Sequence, residues 1–246
     1  MSSILVMKTA LAAVLVVLAR PAHAGPPYTT DDPEPVEYRH WEFYLATQHV
    51  ITSPETSGTA PHVEINYGVV PNVQLHAIVP LAYDHADSAT SYGIGDIELG
   101  AKVRFVQEAG ARPMVGVFPL LELPAGNESK GLGTGHVHAF LPIWLQESSG
   151  PWQTYGGGGY WINPGTGNRN YWLFGWQVQR ELTKGLNLGG ELYYTTPDQV
   201  GGDADLSFNV GLVLDVTSHH HALFSAGRSI VGETSFQGYL AYQLTI

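Results

Sequence analysis

Residues 95–105 read GDIELGAKVRF, and the ionisable side chains fall on every second position. Asp96 and Glu98 come first, Gly100 leaves a gap, and Lys102 and Arg104 follow. Two carboxylates and two cations on one face allow two kinds of chemistry. They can form a constriction that sorts solutes by charge, or they can neutralise one another and their neighbours in a network that fixes a shape. Buried charges must be paired, so pairing is the leading expectation, and the two roles are compatible. The intervening residues, Ile97, Leu99, Ala101, Val103 and Phe105, are all apolar. Period two is the spacing of a strand whose side chains alternate between opposite faces. The element that carries these charges therefore has oil on one side and water on the other.

Other reactive types are sparse. The chain has no cysteine, which excludes disulfides, thiolate metal sites and cysteine nucleophiles. His136 and His138 stand two apart and would share a strand face, but no third metal ligand lies near them in sequence. His219, His220 and His221 fall at an expected turn, where a solvated role is the simpler one. The run GGGGYW at 156–161 lacks the Lys-Ser/Thr of a phosphate loop and no helix follows it. It reads as a strand whose glycines permit bending or the approach of an aromatic ring. Ser225 and Ser229 have no histidine beside them in sequence, although a triad partner need only be near in space. No catalytic residue, metal or cofactor is expected.

Composition narrows the setting. The chain has 246 residues, of which only 13% are charged, with a formal net charge of −11. Nucleic acid is a poor partner for such a chain, because phosphate neutralisation needs Lys and Arg. Met7 to Ala24 has the form of an export signal: Lys8, an apolar run from Ala10 to Ala19, then Ala22-His23-Ala24 as a cleavage site. The run is too short for a membrane helix, which needs roughly 20 residues. Met7 is an alternative start to Met1. Loss of Lys8 and Arg20 with residues 1–24 takes the net charge from −11 to −13. Residues 25–38, rich in proline and acid, form a periplasmic lead-in, either free or tucked into the interior as a partial plug.

From residue 39 onward the alternation recurs. Val63, Ile65, Tyr67 and Val69 oppose His62, Glu64, Asn66 and Gly68; Leu206, Phe208, Val210, Leu212 and Leu214 oppose Asp205, Ser207, Asn209, Gly211 and Val213. Twelve strands are expected, at 39–48, 61–70, 73–84, 94–106, 113–123, 136–147, 152–162, 171–182, 186–196, 204–216, 221–230 and 235–246. Most approach the 9–11 residues that a tilted strand needs to cross a bilayer. Alternate connections are short, and the others, such as HVITSPETSGTA and PAGNESKGLGTG, are longer and polar. That is the pattern of an antiparallel transmembrane β-barrel with short periplasmic turns and longer extracellular loops. In such a barrel the oily face meets lipid and every backbone polar group is paired around the closed sheet. Trp172, Phe174 and Trp176 share one outward face, unlike the surface of a soluble sandwich.

Parity then names the inward residues. The polar ones are Glu42, Glu64, Asp84, Asp96, Glu98, Lys102, Arg104, Glu122, Glu191, Asp205 and Asp215. Ile78, Phe118, Leu120, Phe140 and Trp144 are inward and apolar or aromatic; they either pack the interior or line a path for hydrophobic solutes. At the C-terminus, Tyr242, Leu244 and Ile246 continue an apolar face to the last residue, like the strand signal read by the barrel-insertion machinery, with Ile in place of the usual final Phe or Trp.

Four segments in this order and spacing carry a family resemblance: TDDPEP at 30–35, YGIGDIELGAKVRF at 92–105, LPAG at 123–126 and SGPWQTYGGGGYWINPG at 149–165. Over most of its length after residue 24 the chain resembles the outer-membrane barrel family named after a meta-pathway phenol-degradation protein, whose members are described as transporters. The resemblance implies an outer-membrane barrel of a Gram-negative bacterium that passes small hydrophobic or aromatic molecules. It carries over no catalytic residues. Two other classes stay open: a lipid-modifying outer-membrane enzyme, and a closed structural or adhesive barrel.

Overall fold

The computed structural model describes residues 27–86 and 88–246; the expected signal segment at 1–24 lies outside them. Fourteen strands follow in order: β1 (Trp41–Thr52), β2 (Glu55–Val70), β3 (Val73–Ala86), β4 (Ala89–Ile94), β5 (Ile97–Val106), β6 (Met114–Val117), β7 (Leu120–Leu123), β8 (His138–Ser149), β9 (Trp152–Ile162), β10 (Tyr171–Thr183), β11 (Leu186–Thr195), β12 (Asp205–Asp215), β13 (His220–Val231) and β14 (Phe236–Thr245). Strands β4 and β5 are halves of one stave interrupted at Gly95-Asp96, and β6 and β7 are halves of another interrupted at Phe118-Pro119. The result is a closed antiparallel β-barrel of 12 staves. Closure comes from β1 against β14, in register from Glu42↔Thr245 to Ile51↔Phe236.

The barrel is inside-out relative to a soluble protein. Leu45, Leu75, Leu99, Phe105, Leu141, Phe174, Trp176 and Leu240 are exposed, while Glu64, Gln74, His76, Lys102, Gln177, Glu191 and Gln243 are buried. Each set alternates with the other along its strand, as a wall between lipid and a polar lumen requires. The glycine run in β9 serves both faces. An added Cβ at Gly156 or Gly158 would strike the rings of Trp176 or Phe174 outside; at Gly157 or Gly159 it would meet Trp144 or Phe140 inside.

The first and last strands meet at one rim, here the lower, where Trp41 and Ile246 exchange two backbone hydrogen bonds. The turns at 71–72, 107–113, 150–151, 184–185 and 216–219 share that rim. At the upper rim two expected loops are replaced by strand. Residues 49–60 continue the β1–β2 hairpin around Ser53-Pro54, and residues 85–86 and 89–93 belong to β3 and β4. Their Thr residues suit strands, His49 Nδ1 bonds to the Tyr83 hydroxyl at 2.6 Å, and Pro61 falls in a bulge where the ladder needs no donor. The connection at 124–137 is a true loop with one short 3-10 turn, Glu128–Lys130.

Candidate functional site: a lumen divided by the N-terminal segment

Register fixes where the inward side chains stand. Directly paired residues share a face, so one row can be followed around the wall: Asp215, His221, Gln243, Tyr44, Glu64, Ile78, Glu98, Glu122, His138. It climbs from the lower rim to the upper part of the barrel and carries a chain of polar contacts. His221 Nδ1 lies 2.8 Å from Asp215 Oδ1. The Tyr44 hydroxyl donates to Glu42 at 3.0 Å. Asn66 donates to Glu64 at 2.8 Å, and His76 Nε2 meets Glu98 at 2.8 Å. His138 Nδ1 stands 3.4 Å from Glu122.

Inside this wall lies the N-terminal segment, residues 27–38. Lys102 Nζ bonds Asp31 at 2.9 Å and lies 3.5 Å from Asp32. Arg104 lies 3.6 Å from Glu34 and also donates to Asn72. Gln146 donates to Glu34 at 3.0 Å. From the opposite wall, Glu191 accepts the backbone N–H groups of Thr29 and Thr30 at 2.8 and 2.7 Å, and Asn209 donates to the same carboxylate. Gln74 accepts the Val36 N–H at 2.8 Å, and Ser225 Oγ donates to the Pro27 carbonyl at 2.5 Å. Gly175, Gly189 and Gly211 leave room for Thr30 and Tyr28, whose atoms stand where a side chain at those positions would go. Thr30 and Asp32 have no exposed surface. Burial pushes the Asp32 carboxyl up to about 7, with Lys102 opposing and Asp31 reinforcing the shift, and burial pushes the Tyr28 hydroxyl up to about 12.

The segment lies between two chambers. The upper one, of about 800 Å³, is floored by Pro27, Tyr28, Thr29 and Asp31 and walled by Phe118, Leu120, Phe140, Trp144, Trp161 and Tyr239. Phe140 and Trp161 are stacked, with centroids 4.7 Å apart. The loop at 124–137 closes over it: Asp96 accepts hydrogen bonds from Gly126 N, Thr134 N and Thr134 Oγ1 at 2.9, 2.7 and 2.8 Å, and Leu132 is buried beneath. The lower chamber, of about 980 Å³, is lined by Glu34, Glu108, Met114, Gln146, Asp215 and His221, among others.

Of the residues named from sequence, Glu64, Asp96, Glu98, Glu122, Ile78, Phe118, Leu120, Phe140 and Trp144 line the upper chamber. Lys102, Arg104 and Glu191 grip the N-terminal segment. Asp84 lies against Gly131 of the upper loop, Asp205 accepts from Ser207 at 2.5 Å, and Glu42 is buried beside Tyr44. Absent from that set were the carboxylates of TDDPEP itself, together with Tyr28, His76, Trp161 and Tyr239. Lys102 and Arg104 are the two inward basic residues on the strands among the described residues, and their acidic partners Asp31, Asp32 and Glu34 come from the N-terminal segment.

The histidines are placed differently from expectation. His136 lies in the loop before β8, so it shares no strand face with His138. His221 is buried and bonded to Asp215, with Thr245 Oγ1 at 3.3 Å from Nε2, rather than solvated at a turn. A strand beginning at His220 turns its ring inward. Among the described residues no group of three His, Asp or Glu side chains is close enough to hold a metal ion. Ser225 and Ser229 face the lumen, where Ser229 Oγ accepts the Ser235 N–H at 2.9 Å.

No protein-family model matches the chain, and no curated protein matches it. Solved structures share its fold. An outer-membrane channel from Pseudomonas putida F1 is 17% identical, with a TM-score of 0.74 over 91% of this chain and 100% of that one. The KdgM porin is 11% identical, with a TM-score of 0.57 over 82% and 98%. The translocator domain of autotransporter NalP from Neisseria meningitidis is 12% identical, with a TM-score of 0.54 over 86% and 89%. These are outer-membrane barrels with more than one occupation, so the likeness establishes the architecture and leaves function to the site.

Proposed function

We propose that this barrel sits in the outer membrane of a Gram-negative bacterium and passes a small aromatic or otherwise hydrophobic solute down its gradient. The lower rim, where the first strand begins and the last one ends, faces the periplasm. The resemblance to the phenol-degradation barrel family supports this reading, and the final strand, ending in Tyr242, Leu244 and Ile246, is the segment offered to the insertion machinery. One observation carries it: a ring-lined upper chamber is separated from a lower vestibule by the N-terminal segment, which side-chain hydrogen bonds and ion pairs hold in place. A purely structural barrel gains nothing from two chambers. Such a segment yields a path when it shifts.

Uptake by intact cells tests this, because their lipopolysaccharide leaflet holds back hydrophobic solutes. Cells lacking the protein should take up labelled p-cresol several-fold more slowly than cells expressing it. Equal rates, together with no conductance in planar bilayers, would leave a closed structural barrel as the answer. Lipid turnover by the purified protein would favour the enzyme class instead.

A further inference from the structure

Gln179 on β10, Gly189 on β11, Gly211 on β12 and Ser225 on β13 pair in register, so they stand side by side in one inward row. The two glycines leave a bare patch of backbone in the lumen wall. Neither has a positive φ, so space rather than conformation calls for glycine there. Tyr28 takes that space. A Cβ at Gly189 would stand 2.6 Å from its hydroxyl oxygen, and one at Gly211 would stand 2.8 Å from the same oxygen and from two ring carbons. The Gln177 amide and the Gly211 backbone hydrogen-bond that hydroxyl. The wall thus holds a slot with the outline and the polar groups for one phenol.

Free p-cresol is the tyrosine side chain without its backbone, so it can make every contact that the Tyr28 ring makes. It can also make one more. Gln177 has no exposed surface, and its Oε1 is without a partner. An untethered phenol can turn its O–H toward that oxygen, and satisfying a buried acceptor favours the exchange. Tyr28 is half-buried and floors the upper chamber with Pro27 and Thr29, so a solute in the chamber meets it directly. The moorings on either side differ. Ser225 holds Pro27 through one neutral hydrogen bond, whereas Asp31, Asp32 and Glu34 are ion-paired to Lys102 and Arg104. Loss of Tyr28 from its slot therefore loosens the end that floors the chamber, against the hold of Glu191 on Thr29 and Thr30, while residues 31–34 stay moored.

We infer that the Gly189–Gly211 slot is a phenol-binding site, that Tyr28 fills it as a built-in stand-in, and that an arriving phenol takes its place and loosens the chamber floor. The solute thus opens its own path. This deepens the proposed passage of aromatic solutes, rests on that reading for the supply of a phenol, and adds the hydroxyl as the feature recognised. A built-in competitor weakens an outside ligand by the fraction of time the slot is free. With Tyr28 seated about nine-tenths of the time or more, apparent affinity falls about tenfold or more.

Equilibrium dialysis of labelled p-cresol against the refolded full chain in detergent, with protein-free micelles as the blank, tests the slot. Tyr28→Ala removes a ring from the chamber floor, yet it should bind p-cresol about tenfold tighter than the native chain, because the slot stands open. Gly211→Ala puts a methyl group where the ring sits. It should shed Tyr28 and refuse p-cresol, so its affinity should not exceed the native value. Toluene, which lacks the hydroxyl, should gain far less than p-cresol from Tyr28→Ala. Should Gly211→Ala fail the heat-shift test for a folded barrel, Tyr28→Phe serves: with the ring kept and the hydroxyl lost, its affinity should fall between those of the native chain and Tyr28→Ala. In planar bilayers p-cresol should raise the conductance of the native chain and leave that of Tyr28→Ala unchanged. Binding by Tyr28→Ala no tighter than native would overturn the slot and leave passage through the ring-lined chamber standing. A native conductance indifferent to p-cresol would overturn the release. Equal uptake by cells with and without the protein would instead remove the passage and leave the slot, since binding is read without transport.

Discussion

Lys102 Nζ stands 2.9 Å from Asp31 Oδ1 and 3.5 Å from Asp32 Oδ1, so a wall cation on β5 fastens the acidic N-terminal segment inside the lumen. Lys102 is 2% exposed and Asp32 is fully buried. Removing one partner of a buried pair strands the other charge, at a cost of about 3–5 kcal/mol. Lys102→Ala should therefore loosen the segment without opening the wall. Single-channel recordings should show larger or more frequent openings than the native protein, while the heat-shift on gels is retained. Unchanged conductance would mean that Glu191, Gln74 and Ser225 suffice to hold the segment.

The same pair implies a pH response. Burial raises the Asp32 carboxyl to about 7 in the docked segment, against about 3.9 for a free aspartate. A group whose pKa is higher in the docked state favours docking while protonated. That contribution is complete below about pH 4 and is lost as pH rises through about 7. Conductance should thus increase between pH 6 and pH 8. Asp32→Asn should flatten this profile, and an unaltered profile in that variant would assign the response to another group.

Much of this was legible from period-two patterning. Ile97 to Phe105 placed the lipid face, and Asp96 to Arg104 the polar one, because a strand with one oily side leaves no freedom of register. Twelve staves and the joining of the first and last strands at Trp41 and Ile246 follow from the same count. What alternation does not encode is which residues meet across a lumen. TDDPEP has no strand periodicity, so its residues alone leave open whether it hangs free or tucks inside, and they do not name Lys102, Arg104 and Glu191 as its partners. Residues 49–60 misled for a related reason: Ser, Thr, Pro and Gly signal a loop, whereas here they continue a paired hairpin.

The glycine run in β9 makes a stability prediction. A Cβ at Gly158 would stand 2.6 Å from the Leu173 carbonyl oxygen and collide with the Phe174 ring, while one at Gly238 would meet nothing nearer than 3.9 Å. Gly158→Ala should cost about 1–3 kcal/mol by overpacking, and Gly238→Ala far less. The temperature at which each barrel loses its cold mobility on gels ranks them. Equal temperatures would mean that the Phe174 ring moves aside freely.

Asp96 gives the last test, because it accepts three hydrogen bonds from the loop over the upper chamber, from Gly126 and Thr134. Lys130 lies exposed within that loop. In the native protein the loop's fixed course should shield the bond after Lys130 from trypsin, since cleavage needs a locally unfolded segment. Asp96→Ala leaves the Gly126 and Thr134 backbone N–H groups without their acceptor and the Thr134 hydroxyl with the His136 carbonyl alone, a loss of about 1–3 kcal/mol for the loop. Cleavage after Lys130 should then accelerate by about tenfold or more, with the barrel intact on gels. The chamber should also open, so that p-cresol dissociates faster than from the native protein. A cleavage rate equal to that of the native chain would show that Leu132, buried under the loop, holds it without Asp96.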